Sequence, residues 1–233
     1  MNGLVQFEST LIGSKNAVAE LSKCSDATLL VVSDSHGEKD ILEQILLEFG
    51  ADSDVLVFCG DGFYDVMELI EEAYTNEKLR ACLPPVIACV QGNGDISSKT
   101  IKIPENKITK DSITGFREYS IKKELAFTVA GRVVFLVHGN RHCVDSGVEM
   151  LSSAAFSADA DLVFFGHTHR RFRDDIGGTL FLNPGSIARP RGGQEASFSI
   201  VSFPGENERY DVESFCITKN VFGNCEFIPL GLI

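Results

Sequence analysis

Three continuous apolar runs of strand length, Ala27–Ser33, Val55–Cys59 and Val86–Val90, constrain this chain more than any other feature of it. Each ends in a polar or glycine-containing stretch: Asp34-Ser35-His36-Gly37, Gly60-Asp61-Gly62 and Gly92-Asn93-Gly94-Asp95. Between the first two, Ile41, Leu42, Ile45, Leu46 and Phe49 recur at helical spacing, and Gly50 closes that helix. A second helix is predicted from about Tyr64 to Thr75, and Pro84-Pro85 breaks the chain before the third run. Unalternating apolar strands joined by crossover helices are the pattern of a parallel sheet. Such sheets bind ligands in the loops past the carboxyl ends of their strands.

The flanking segments are less regular. Residues 1–25 show no sustained period and read as an N-terminal extension with at most one short helix. Ser97–Gly115 is polar and lysine-rich, the best candidate for a mobile insertion near the site. Arg117–Ala130 and Arg132–Val137 read as strands joined at Gly131, the second leading into His138-Gly139. Val144–Phe156 reads as a helix, followed by the apolar run Asp161–Phe165 and then Gly166-His167-Thr168-His169. Gly177-Gly178 is a two-residue hairpin turn between Phe172–Ile176 and Thr179–Leu182. Asn183-Pro184-Gly185-Ser186 precedes two further strands, near Ala196–Phe203 and Arg209–Ile217. The expectation is a βαβ first half and a mostly antiparallel second half. One domain would span residues 26–217, with 218–233 a tail packing on it.

Charge and cysteines narrow the function classes. A formal charge of −12 over 233 residues lacks the basic footprint needed to grip long nucleic acid. No apolar run approaches the roughly 20 residues needed to span a bilayer, so no membrane partner is expected. The N-terminus has no basic region followed by an apolar one, as a secretory signal would. Seven cysteines in an odd, scattered set without CxxC spacing point to buried free thiols in a reducing cytoplasm.

Polar candidates for chemistry stand at the strand ends: Asp34 with His36, Asp61, Asn93, His138, and His167 with His169. Four of the five histidines in the chain fall on these positions. Carboxylate, amide oxygen and imidazole form a mixed N/O donor set suited to Mn, Fe, Co, Ni or Zn. A carboxylate can bridge two such ions, which together clamp the attacking and leaving oxygens of a phosphate. Two divalent ions set against Asp34, Asp61 and a bridging hydroxide leave the site at about +1, attractive to an anionic phosphate within an acidic protein.

In order, Asp34-Ser35-His36, Gly60-Asp61, Gly92-Asn93-Gly94-Asp95, His138-Gly139 and Gly166-His167-Thr168-His169 resemble the blocks of the calcineurin-like metallophosphoesterases. Asn183-Pro184-Gly185-Ser186 is similar to the block that follows in the small phosphodiesterase branch of that family. The resemblance implies an α/β fold: a four-layer α/β/β/α sandwich of two mixed β-sheets flanked by helices. It implies two divalent metal ions, manganese first, with Fe, Ni, Co or Zn as alternatives. One ion would take Asp34, His36, Asp61 and His169. The other would take Asp61, Asn93, His138 and His167, with Asp61 as the bridge. Asp61, Asn93 and His138 would be the catalytic residues.

Many relatives carry a histidine after the asparagine, able to protonate the leaving oxygen; this chain has Gly94 there. Asp95 is a poor proton donor near neutral pH. The small phosphodiesterases likewise lack that histidine, and the expected function is hydrolysis of a small phosphate ester, a diester first. His142, Arg189 and Arg191 are candidate substrate contacts. The alternatives are a phosphomonoesterase acting on nucleotides or proteins at the same site, and a non-enzymatic scaffold of this fold. Ser97–Gly115 and the tail could also serve a homo-oligomer contact.

Overall fold

The computed structural model describes residues 2–104, 115–203 and 210–231. At the N-terminus, β1 (Val5–Gln6) pairs antiparallel with β2 (Ile12–Gly13), and Ser14 caps α1 (Lys15–Glu20) by accepting the Ala17 N–H. The buried Asn2 amide donates to the Pro84 carbonyl at 2.7 Å, so this segment is tied to the sheet as well as carrying the short helix. The three apolar runs become β3 (Ala27–Val32), β4 (Val55–Phe58) and, after two intervening helices, β5 (Val86–Cys89). These are parallel, with Leu29 opposite Val55 and Val57 opposite Ala88. The crossovers are α2 (Lys39–Phe49) and α3 (Phe63–Glu72). A short α4 (Glu77–Cys82), absent from the sequence reading, follows, with Asn76 Oδ1 capping Leu79.

Ser98–Lys102 (β6) and Phe116–Ser120 (β7) form a separate hairpin. Within the Ser97–Gly115 segment Ser98–Lys102 is therefore a strand, and Ile101 and Ile103, with Tyr119 of β7, are buried in the core. Residues 105–114 of that insertion lie outside the described residues. The single strand expected over Arg117–Ala130 is two elements. The chain leaves the hairpin at Ile121 and re-enters a different sheet as β8 (Glu124–Val129). A polar Lys122-Lys123 pair marks the break, and the Lys122 carbonyl accepts the Gln91 N–H.

β8 pairs antiparallel with β9 (Arg132–Val137). After a one-turn 3₁₀ segment at Asn140–His142, α5 spans Glu149–Ser157. It starts later than the expected Val144 because Gly147, inside that span, has φ +146°, which a helix cannot include. β10 (Leu162–Phe164), β11 (Arg171–Ile176) and β12 (Thr179–Pro184) complete a five-stranded sheet of order β11-β12-β10-β9-β8. The second half is mostly antiparallel, as expected, with one exception: β10 lies parallel to both β9 and β12. α5 is the crossover that makes the β9–β10 pairing possible.

β13 (Ser197–Phe203) returns to the first sheet beside β3, followed by β14 (Asp211–Lys219) and β15 (Cys225–Leu230). That sheet has eight strands in the order β1-β2-β5-β4-β3-β13-β14-β15. Residues 218–233 were expected as a tail; within them Cys225–Leu230 is an edge strand of the main sheet.

The unalternating strands are explained by burial on both faces. Leu30, Val32, Leu56 and Phe58 meet Leu42, Ile45, Val66 and Met67 of the helices. Leu29, Val31, Val55 and Val57 meet Leu136, Leu162, Phe164 and Leu182 of the second sheet. Phe135, Val163 and Phe181 turn outward to Leu151 and Ala155 of α5. The result is the four-layer α/β/β/α arrangement, in which the carboxyl ends of β3, β4, β5, β9 and β10 open onto common ground.

Candidate metal centre

The backbone at these strand ends is strained. Ten non-glycine residues among those described have positive φ, and five of them are Asp34, His36, Asp61, His167 and His169. Each such residue costs on the order of 1–3 kcal/mol unless its surroundings hold it. Here the surroundings do. The Asp34 N–H donates to the Gly60 carbonyl, the His36 N–H to the Asp61 carbonyl, and the Gly166 N–H to the His138 carbonyl. Close packing adds to this: a Cβ at Gly92 would sit 2.0 Å from Asp61 Oδ1, and one at Gly166 would sit 2.0 Å from Ser33 Oγ.

The side chains converge. His169 Nε2 lies 3.2 Å from Asp34 Oδ1 and 3.0 Å from His36 Nε2. Asp61 Oδ2 lies 3.5 Å from His138 Nε2 and 3.9 Å from His36 Nε2. His167 Nδ1 stands 3.0 Å from Asn93 Oδ1, with its ring 5.2 Å from that of His138. Two compact donor sets result, Asp34 with His36 and His169, and Asp34 with Asp61 and His138, the donor atoms of each lying within 4.8 Å of one another. Asp34 thus takes part in both, whereas the family pattern places it with one ion. Asp61 stands between His36 and His138.

Proton accounting tests whether this set fits cations. His138 Nδ1 is 2.8 Å from the Cys59 carbonyl and His169 Nδ1 is 2.7 Å from the Arg189 carbonyl. A carbonyl only accepts, so both rings carry their proton on Nδ1 and present a bare Nε2 to the site. The buried His138 Nε2 and Asp34 Oδ1 have no hydrogen-bond partner. Orphaned acceptors at such depth are costly, and several of them aimed at one another are what a cation would satisfy. Two nitrogens each about 2.1 Å from one ion and at right angles lie about 3.0 Å apart, the spacing of His36 and His169. The residues fit the metals.

The site's field attracts positive charge: although burial opposes it, Asp61, Asp34 and the Cys59 carbonyl raise the His138 pKa, a pull that a cation beside the ring would offset. Burial acts against the ionised Asp61, yet His138 and the Gly94 N–H, at 2.7 Å, hold its carboxyl at about 2, so it is charged at any working pH. Burial lowers the His36 pKa against the pull of Asp34 and Asp61, favouring the neutral ring that a metal needs.

Of the expected substrate contacts, Arg189 and Arg191 lie on the adjoining loop. Arg189 Nη2 reaches the His36 carbonyl at 3.4 Å, and the Arg191 N–H donates to the His169 carbonyl at 3.0 Å. His142 is not brought to the site. It is buried, edge-on to Phe135, with Nε2 3.6 Å from Glu124, and belongs to neither donor set. His142→Ala is therefore expected to leave kcat/KM within about twofold while costing about 1–3 kcal/mol of stability from the lost packing. A tenfold fall in turnover would reinstate it as a substrate contact.

Two carboxylates, Asp65 and Asp145, escaped the sequence reading, and a third, Asp95, has a role that reading did not define. Asp95 accepts the N–H groups of Asp61, Gly62, Phe63 and Gly92 at 2.8–2.9 Å. Asp65, in the first turn of α3, accepts the Ser35 hydroxyl and, at 2.9 Å, the Gly37 N–H. Asp145 lies 2.8 Å from His167 Nε2. The Asp95 signal was its place in the Gly-Asn-Gly-Asp block; for the other two, no local pattern announces the contact. Ser186 also has a defined role: it donates to the Asp34 carbonyl at 2.7 Å and accepts the Ala188 and Arg189 N–H groups.

Known proteins of similar sequence and shape agree with the geometry. Residues 28–206 match the family model of the calcineurin-like phosphoesterase superfamily domain. A Bacillus subtilis (strain 168) protein, described as the probable metallophosphoesterase YsnB, is 26% identical over 178 residues, covering 76% of this chain and 85% of its own. A conserved uncharacterized protein of Streptococcus pneumoniae TIGR4, described as a predicted phosphoesterase, superimposes with a TM-score of 0.60 at 22% identity, covering 83% of this chain and 91% of that one. Vacuolar Protein Sorting 29 of Cryptosporidium parvum superimposes with a TM-score of 0.62 at 15% identity, covering 89% and 98%. The chain belongs to the calcineurin-like phosphoesterase superfamily, a metal-dependent family whose donor residues it carries.

Proposed function

We propose that this chain is a phosphodiesterase that hydrolyses a small phosphate ester on a centre of two divalent ions, manganese first. The observation that carries this reading is the convergence of bare acceptors, with Asp61 between His36 on one side and His138 on the other. Asp34, His36, Asp61 and His169 would hold one ion, and Asp61, Asn93, His138 and His167 the other. When bound, such a pair polarises the phosphoryl oxygens and lowers the pKa of water enough to supply a nucleophile near neutral pH.

The chain's own residues orient and limit the reaction. Asp61 stays ionised and sets the spacing of the two donor sets. Arg189 and Arg191 flank the centre as phosphate contacts, Arg189 anchored on the His36 carbonyl. What is missing decides the substrate class. Gly94 offers no side chain, Asp95 is occupied by four backbone donors, and the site histidines are committed as ligands. Among the described residues of the site, no side chain remains to protonate a leaving oxygen. Diesters with stable leaving groups are then favoured over esters whose leaving group needs a proton.

Matched aryl phosphomonoesters and phosphodiesters, assayed with added Mn²⁺, test this. The expected result is faster diester turnover and a steep dependence of rate on leaving-group pKa. A flat dependence with monoester preference would transfer the site to a phosphomonoesterase. Protein purified without chelators that holds no transition metal and shows no metal-activated turnover would instead be a scaffold of this fold. The seven free thiols fit a reducing cytoplasm.

A further inference from the structure

Each histidine that lends a nitrogen to this centre must have its other nitrogen fixed, since that bond sets the tautomer and aims the ring. For His138 and His169 the anchor is a backbone carbonyl on Nδ1, which leaves Nε2 for the site. His167 is built the other way round. Its Nε2 lies 2.8 Å from Asp145 Oδ2, and its Nδ1 faces Asn93 Oδ1 at 3.0 Å.

We propose that Asp145 is a positioning residue of the second metal set: it holds His167 as the Nε2–H tautomer and thereby sets the affinity of the Asn93–His138–His167 side for a divalent cation. The inference rests on the two-ion reading above.

An ionised carboxylate only accepts, so the proton of this contact belongs to Nε2. In the neutral ring that a metal ligand must be, Nδ1 is then a bare lone pair 3.0 Å from another acceptor, the Asn93 oxygen, and no proton bridges them. A cation shared by both atoms resolves the contact, as it does for the paired Nε2 atoms of His36 and His169. Without Asp145, nothing prevents the ring from taking the opposite tautomer, in which Nδ1–H donates to Asn93 Oδ1 and both ligands are lost to one hydrogen bond. A carboxylate anchor also makes the imidazole a stronger donor than a carbonyl anchor does.

The position of the pair gives this control its weight. The His169 and His138 side chains are only 5% and 1% exposed, whereas those of His167 and Asp145 are 22% and 61% exposed. His167 is the most exposed of the four rings, ahead of His36 at 19%, and of these two it is the one whose second nitrogen is anchored by a side chain at the rim. Asp145 is itself placed by a tight turn: Cys143 is left-handed, and the Ser146 N–H donates to the Cys143 carbonyl at 2.9 Å.

Calorimetric titration of the chelator-stripped full chain with Mn²⁺ tests the inference independently of turnover. The unaltered chain is expected to bind two ions. Asp145→Asn and Asp145→Ala are expected to weaken one of them by about 10- to 100-fold, with the affinity of the other and the melting temperature of the metal-free chain unchanged. Asp145→Glu, which keeps the charge, should recover part of the loss. Two ions bound by Asp145→Ala as tightly as by the unaltered chain, or equal losses at both, would overturn the role of Asp145 alone. An unaltered chain that binds fewer than two ions would overturn the two-ion reading and this inference with it.

Discussion

Asp61→Asn is expected to lose about a thousandfold in metal-dependent kcat/KM while the chain keeps its fold. The amide matches the carboxylate in shape and retains Oδ1, which accepts the Gly94 N–H at 2.7 Å. Asparagine also tolerates the left-handed backbone found at this position, where φ is +54°. What it removes is the charge of the carboxylate 3.9 Å from His36 and 3.5 Å from His138. The replacing NH₂ can donate to the bare His138 Nε2, which satisfies that orphan and occupies a metal-facing nitrogen. Metals at such sites contribute several kcal/mol of charge stabilisation, and losing about 4 kcal/mol corresponds to about a thousandfold in rate. The measurements are kcat/KM at saturating Mn²⁺, metal content per chain, and the melting temperature without metal. A variant that holds two ions and keeps more than a tenth of the activity would remove Asp61 from its bridging place.

The candidate site was legible in the sequence because each proposed ligand is announced locally. Asp34, Asp61 and Asn93 follow apolar runs, and a strand that ends in Gly-Asp or Gly-Asn has few structural uses for both residues at once. His167 and His169 follow the same logic after β10. The two-layer burial of β3 and β4 was legible too, as runs without alternation. The second half was harder. Arg132–Val137 and Leu162–Phe164 read as strands in either direction, and only the right-handed crossover through α5 makes them parallel. The break inside Arg117–Ala130 is set by tertiary pairing, Val90 against Lys122, which no periodicity shows.

Contacts between distant loops were the least legible. His142 looked available because it follows His138 closely, but the 3₁₀ turn over Asn140–His142 swings its ring onto Phe135. Asp145 and Asp65 carry no motif; each matters only because the fold brings it to His167 or to the Ser35–Gly37 turn. Sequence patterns report the bonds a residue makes to its neighbours in the chain. They are silent on bonds that depend on where another strand ends.

Asp95→Ala is expected to lower the melting temperature by about 10 °C and to loosen the metal site with it. The Asp95 carboxylate is the shared acceptor for four N–H groups, two on each oxygen: Gly62 and Phe63 on Oδ1, Asp61 and Gly92 on Oδ2. Gly62 and Phe63 open α3, so the carboxylate meets the positive end of that helix and satisfies donors that its glycine cap cannot. The Asp61 bond, like those from Gly62 and Phe63, joins the loop after β4 to the loop after β5, and the Gly92 bond closes the latter loop on itself, which fixes Asp61 relative to Asn93. Alanine leaves these donors to whatever water reaches a half-buried site, a loss of about 3 kcal/mol, and a chain of this size shifts by about 2–4 °C per kcal/mol. Asp95→Asn keeps one acceptor oxygen and should fall about half as far. A proton-donating role for Asp95 makes the opposite forecast: an unchanged melting temperature in Asp95→Asn, with turnover lost most on substrates of high leaving-group pKa. If stability falls in both variants and the leaving-group slope does not change, Asp95 is the clasp between the two loops that carry Asp61 and Asn93.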